Sequence, residues 1–330
     1  MAPLPPGVVS SGVGATAAGA AGGIKSSSPD PLLESASQMV YQLLHASRMY
    51  AAIDWCVGVF KTPTGADTVV VSNEGAGYIP AGVFIPRTAR MLFADAGLDN
   101  AFQQRWFAWA NPAETMVAYA ALRGELNPNI ELYALAVSTD NGGSALAAMH
   151  AGIRHYEDCS LMLSPIPADQ SPPPLDEARM HRLETVDRAE YAKLTDPNVP
   201  VVHHLPDAWR NTDAGVRVAL ARASGLLGLS VPPVIRHVLA ALDAGEPVTD
   251  EQWTELVMVK LNTCLDSAAQ RPGMLADSDG ASPYARAYHS LARAAEALLM
   301  WRGDDPACAE IAYLITQIMK EAQLWPSLSV

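Results

Sequence analysis

Apolar residues recur at helical spacing from residue 32 onward: Leu32, Leu33, Ala36, Met39, Val40, Leu43 and Leu44 share one face of a 3.6-residue repeat. Asp30 stands where an N-cap is needed and Pro31 suits the first helical position, so a helix is predicted to begin there. The period then changes. Ile53–Phe60 is a short apolar run of strand character, Pro63 to Asp67 is a turn cluster, and Thr68–Val71 is a β-branched run. Tyr78–Ile85 predicts a third strand, at an edge or bulged because it contains Pro80 and Gly82. Between the second and third runs lies Ser72–Tyr78, whose Gly75 and Gly77 supply positive φ. The stretch is therefore expected to be a hairpin connection. Helix is predicted over about 87–123 with a fresh start at Pro112, a fourth strand over Asn129–Ser138, and an amphipathic helix over Ser144–Tyr156.

Ser164–Pro174 carries five prolines in eleven residues and reads as a stiff, extended linker. Beyond it the pattern is helical throughout, with helices expected at about 175–194, 207–227, 231–244, 250–269, 281–302 and 306–324. Thr249 and Gln252 form a capping-box pair, Gly245 and Gly303 stand at helix C-termini, and Asp305 and Pro306 are placed to open the last helix. Apolar stripes (Tyr284, Tyr288, Leu291, Ala295, Leu298 and Ile311, Ile315, Ile318, Ala322) predict that the last two helices pack as an antiparallel hairpin. The expected organisation is thus a disordered Ala/Gly/Pro-rich tail (1–28), an α+β domain with a small, mainly antiparallel sheet (29–163), a Pro-rich linker (164–174) and an all-α helical-bundle domain (175–330). The tail reads like the end of a longer low-complexity linker.

Composition narrows the function classes. Hydrophobic residues make up 49% of the 330 positions and the formal net charge is −13, shared equally between residues 29–174 and 175–330. An evenly acidic surface repels phosphate backbones and anionic membrane surfaces, so neither nucleic-acid binding nor direct membrane insertion is expected. The four cysteines are far apart and in apolar contexts, which fits a reducing, cytoplasmic setting. The first 24 residues lack the positive flank and unbroken apolar core of a signal peptide.

No recognised catalytic or cofactor pattern emerges. Gly75-Ala76-Gly77 lacks the third glycine and following helix of a dinucleotide fingerprint, and no phosphate-loop or nucleophile-elbow motif is present. His203-His204 and His150/His155 have no zinc spacing, and no metal or cofactor is expected. Arg154, His155, Glu157 and Asp158 read as the solvated end of a helix. An unfamiliar enzyme would place its site near Ser72–Tyr78, using Asn73, Glu74 and Arg87. For protein binding the candidates are tryptophans: Trp106, Trp109, Trp253, Trp301 and Trp325, a residue type favoured at interface hot spots.

The words "DWCVGVF…TVVVSNEGAGYIPAGVFIP" (Asp54–Pro86) and "WANPAET" (Trp109–Thr115) resemble EspK-like proteins associated with mycobacterial type VII (Esx) secretion. Trp301-Arg302-Gly303 and Tyr50–Asp54 have the forms W-x-G and Y-x-x-x-D of type VII substrates, but in the wrong order, and read as chance. What the resemblance implies is a non-enzymatic, virulence-associated cytoplasmic chaperone or adaptor. Its expected partners are a secreted helical substrate, a secretion ATPase component, or both. A self-associating scaffold is the alternative.

Overall fold

The computed structural model describes residues 30–50, 52–139, 143–162, 172–227, 231–273 and 282–326. The predicted tail, and most of the predicted linker, lie outside the described residues. Helix α1 (Pro31–Ala46) begins as the sequence predicts: the Asp30 carboxylate accepts from the Leu32 and Leu33 amides at 2.9 and 3.2 Å, with Pro31 at the first position. Strands β1 (Trp55–Thr62) and β2 (Gly65–Ser72) form the hairpin, closed by Thr62 opposite Gly65. A five-stranded sheet is completed by β4 (Ala89–Met91), β5 (Glu131–Val137) and β6 (His155–Asp158), in the order β4-β2-β1-β5-β6. The central strands β2, β1 and β5 are antiparallel, whereas both edge strands run parallel to their neighbours, so the sheet is mixed. The two-residue strands β3 (Ile85–Pro86) and β7 (Arg179–Met180) pair separately.

Alternation along β1 explains why both sheet faces are covered. Trp55, Val57 and Val59 point to the side that carries α1 and the bundle. Cys56 and Phe60 point to the side that carries α2 (Asn100–Arg105), α3 (Pro112–Leu126) and α4 (Ser144–His150). Gly58 lies where any side chain would run into the Met116 thioether of α3, with Cβ only 2.8 Å from its sulfur.

Several predicted elements are corrected. Tyr78–Ile85 is not a strand: Tyr78–Pro80 is a buried irregular segment, and only Ile85 and Pro86 pair, with β7. Pro80 cannot donate to a ladder, and Gly82 takes φ 78°, which favours the turn. The long helix over 87–123 is β4, a 3-10 turn at Leu92–Ala94, and then α2 and α3. The amphipathic helix at 144 stops at His150, because Gly152 adopts φ 71°. Of the polar residues read as its end, His155, Glu157 and Asp158 instead lie in edge strand β6, with the His155 ring tilted against Tyr133 at 4.3 Å. In the region 175–194 only α5 (Arg188–Leu194) is helical.

Helices α6 (Leu205–Leu227), α7 (Pro233–Ala244), α8 (Asp250–Ala269), α9 (Pro283–Leu299) and α10 (Cys308–Leu324) match the remaining expectations closely. The capping box at Thr249 and Gln252 is present, and Gly245 ends α7 in the left-handed region. Asp305 does not cap α10, which begins at Cys308 without a side-chain cap. Helix α9 is the axis of the bundle and packs against α6, α7, α8 and α10. Its alanines at 285, 287, 292, 294, 295 and 297 are all fully buried, so neighbouring helices approach closely on every side. One apolar cluster joins Trp55, Val57 and Ile79 to Leu291, Leu298, Leu314 and Ile318; the sheet and the bundle share this core.

Candidate functional site

Ser72–Pro80 leaves β2 and runs buried along the seam between sheet and bundle. It is a loop rather than a hairpin connection, and it is folded by its own groups. The Ser72 hydroxyl donates to the Tyr78 carbonyl at 2.7 Å, and the Tyr78 amide donates to the Glu74 carbonyl at 2.8 Å. Asn73 ties the loop to the body: its amide nitrogen donates to the Asp54 carboxylate and the Ala110 carbonyl, each at 3.2 Å, and its side-chain oxygen accepts from the Asp54 amide at 2.9 Å. Gly75, at φ 55°, passes so close to α9 that a Cβ would fall 2.4 Å from the His289 ring.

This loop presents Glu74 and Tyr78 to a chain of buried charges. Glu74, 6% exposed, accepts from Arg271 at 2.7 Å and from Ser267 at 3.3 Å, and contacts His289 Nδ1 at 2.6 Å. The Tyr78 hydroxyl donates to Glu296 at 2.8 Å, and its ring lies 3.6 Å beneath the Arg293 guanidinium. Arg182, from the turn after β7, contacts Glu296 at 3.2 Å, donates to the Ile79 carbonyl at 3.0 Å, and also pairs with Glu310. His181 meets Glu310 at 2.9 Å. Three carboxylates (Glu74, Glu296, Glu310) face three guanidiniums (Arg271, Arg293, Arg182), so the carboxylate and guanidinium charges of the cluster balance.

Burial pushes the Glu74 carboxyl up, but the His289 hydrogen bond and the Arg271 and Arg293 charges outweigh it and hold the group well below its ordinary range. Glu296 is likewise raised by burial, and is brought down to about 2 by Arg293 and Arg182. Both are carboxylates at neutral pH with their acceptor positions filled by the protein itself. A second buried group joins Glu321 to Arg222 at 2.6 Å and Arg286 at 3.8 Å, with Arg286 4.2 Å over the Trp325 ring.

Of the tryptophans named from the sequence, Trp106 and Trp109 meet and the other three lie apart from them. Trp109 is buried, donates to Glu114 at 2.6 Å and stands edge-on to the half-buried Trp106 at 5.0 Å. Trp253 is in the core. Trp301 is half-buried, donates to Thr212 at 3.1 Å and packs edge-on to Trp209. Trp325 is half-buried against Phe107 and Arg286. Among the described residues no group of three or more His, Cys, Asp or Glu is arranged to hold a metal ion. Arg87 of the enzyme reading pairs with Glu184 at 3.0 Å, away from Glu74.

Sequence reasoning missed Arg182, Arg271, His289, Arg293 and Glu296. A signal existed: Arg286, His289, Arg293 and Glu296 recur at steps of three and four within an alanine-rich helix, the spacing of an inward seam. It also missed two surface features. One is a stripe on α8 formed by Val257, Met258, Leu261 and Leu265, each 42–49% exposed. The other is a cavity of about 780 Å3 over α10, none of whose lining residues belongs to the charge cluster.

A mixed sheet joined to a helical bundle through buried charges defines the architecture without defining an activity. The sequence model of the EspK C-terminal domain matches residues 45–215, from the end of α1 into α6. That is just over half of the chain, which therefore belongs to this family and is a type VII secretion-associated protein. No curated protein matches it. Among the described residues no helix is long and apolar enough to cross a membrane.

Proposed function

We propose that the chain is a non-enzymatic chaperone or adaptor of a type VII secretion system, acting in the cytoplasm on a secreted helical substrate. The observation that carries this reading is the α8 stripe. Val257, Leu261 and Leu265 recur every four residues, with Met258 beside them, on the outer face of a helix whose inner face is already packed on α9. An unpartnered apolar stripe of this form suits the apolar face of one more helix. Glu251, Glu255 and Asp266 lie exposed near it on α8, so a partner helix with lysine or arginine at its flanks is the complementary occupant. A secretion ATPase component that presents such a helix is the other partner of this reading.

The Ser72–Tyr78 loop supports a structural role rather than a catalytic one, because Arg271, His289 and Ser267 occupy the Glu74 carboxylate. The test is capture from mycobacterial cytosol by the full chain and by a Met258→Glu/Leu261→Glu variant of unchanged circular dichroism. The intact chain should recover an identified helical secretion substrate or ATPase component, and the variant should lose it. Recovery of neither by the intact chain would defeat the reading. A stable homo-oligomer in light scattering that the variant dissolves would replace it with the scaffold.

A further inference from the structure

One face of α10 forms the floor of the cavity of about 780 Å3, with Ala312, Ile315, Thr316, Met319, Lys320 and Gln323 in line. Those positions span about 16 Å of helix, so the space is a groove, and its volume falls in the range of ligand sites. The walls are the 3-10 turn at Leu92–Ala94 with α2 on one side, and α5 and α6 on the other.

The charges in this groove are unbalanced. Asp95 is engaged by Arg90 and Tyr119, and Glu190 by Lys193 at 3.2 Å. Lys320 donates to the Phe93 carbonyl at 2.9 Å, and no carboxylate among the described residues reaches its amine. Burial alone brings that amine down to about 8, as expected for a cation without a counter-charge. On the α2 wall the Gln103 side-chain nitrogen donates to the Leu98 carbonyl at 3.2 Å. The lining thus holds a cation with no paired carboxylate, set among apolar side chains and the carboxamides of Asn100, Gln103, Asn211 and Gln323.

We propose that the groove over α10 binds a peptide segment carrying a single carboxylate, with Lys320 as its counter-ion. One lysine without a paired carboxylate accommodates one ligand carboxylate. Apolar positions Ile315, Met319 and Leu98 offer contact to the flanking side chains, as grooves that read extended peptides do. The site is independent of the α8 stripe: α8 packs on α9, and α9 on α10.

The test is calorimetric titration of the full chain with an acetylated, amidated octapeptide of alanine, leucine and glutamine bearing one central glutamate, and with its glutamine counterpart. The glutamate peptide should bind roughly tenfold more tightly, the fold-change of one charge-assisted hydrogen bond. Lys320→Gln should erase that difference and Lys320→Arg restore it. Thr316→Trp, at an exposed position in the floor, should block both peptides while leaving the melting temperature unchanged. Acetylation of Lys320 by an N-hydroxysuccinimide ester, read by mass spectrometry, should slow only with the glutamate peptide. Equal affinity for the two peptides, no binding of either, or an unchanged Lys320→Gln variant would each overturn the proposal. Displacement by succinate at matching affinity would do the same and make the groove a small-carboxylate site. Met258→Glu/Leu261→Glu should leave peptide binding intact, and loss there would move the site to α8.

Discussion

Glu74 and His289 meet at 2.6 Å although 215 positions separate them. The contact fixes the loop after β2 onto the axis of the bundle, and Arg271 closes it from α8's end at 2.7 Å. Removing the charge of Glu74 leaves the buried Arg271 guanidinium facing an amide. Glu74→Gln should therefore lower stability by about 3 kcal/mol, the scale measured when one partner of a buried pair is lost. Urea unfolding checks this, and a loss below about 0.5 kcal/mol would mean that the loop is not part of the cooperative core.

The same cluster sets an acid limit. Glu74 and Glu296 both have carboxyls held below their unfolded values, Glu296 at about 2. A depressed folded pKa gives stability that is complete above the unfolded value and lost as pH falls through the folded one. The melting temperature should be flat with respect to these groups at neutral pH, then fall from about pH 5 toward pH 2. Glu296→Gln should begin less stable and fall less steeply over that window. A parallel acid limb in the variant would remove Glu296 from the account.

Much of the helical half was legible in the sequence because caps and stripes are local. Thr249 with Gln252, and Gly245 after α7, state their conformations within a few residues. The mixed sheet was less legible. Edge strands β4 and β6 hold three and four residues, and what makes them strands is a neighbour, Val69 for Arg90 and Leu135 for Tyr156, not a pattern of their own. The charge cluster was hidden for the same reason. Glu74 reads as a turn residue until α9 is placed beside it, and Arg293 reads as one surface arginine among many until α9 proves buried on all sides.

Two glycines with similar backbone angles should behave differently. Gly75, at φ 55°, has the His289 ring 2.4 Å from where a Cβ would sit, whereas Gly82, at φ 78°, has nothing within 4 Å. Alanine at Gly82 meets only the left-handed strain of about 1 kcal/mol. Alanine at Gly75 adds displacement of a ring held by Glu74, for a total of about 3 kcal/mol. Thermal unfolding of the two variants side by side gives the answer, and equal losses would mean that the loop stands off from α9.

Arg222 and Arg286 share Glu321 unequally. Arg222 donates to it twice, at 2.6 and 3.0 Å, while Arg286 approaches only to 3.8 Å and leaves Nε and Nη1 without partners. Burial lowers the Arg286 guanidinium, Glu321 opposes that, and the neighbouring Arg222 charge adds to it. Arg222→Met should cost about 3 kcal/mol, because Glu321 loses its hydrogen-bonded cation. Arg286→Met should change stability by no more than about 1 kcal/mol, since relief of desolvation and repulsion offsets the lost stacking on Trp325. Chemical denaturation ranks the two, and the reverse ranking would show that Arg286 is the principal partner.

The α8 stripe separates surface from core on a single helix. Leu256, fully buried, and Leu261, 42% exposed, lie on opposite sides of α8. Leu256→Ala removes a packed side chain and should cost about 3 kcal/mol. Leu261→Glu removes nothing from the core and should stay within about 0.5 kcal/mol of the parent. If the stripe is a docking surface, Leu261→Glu should nevertheless abolish recovery of a helical partner, whereas Leu256→Ala, assayed well below its melting temperature, should retain it. Stability and binding then respond to different faces of one element. A partner lost with Leu256→Ala but kept with Leu261→Glu would place the docking surface elsewhere on the molecule.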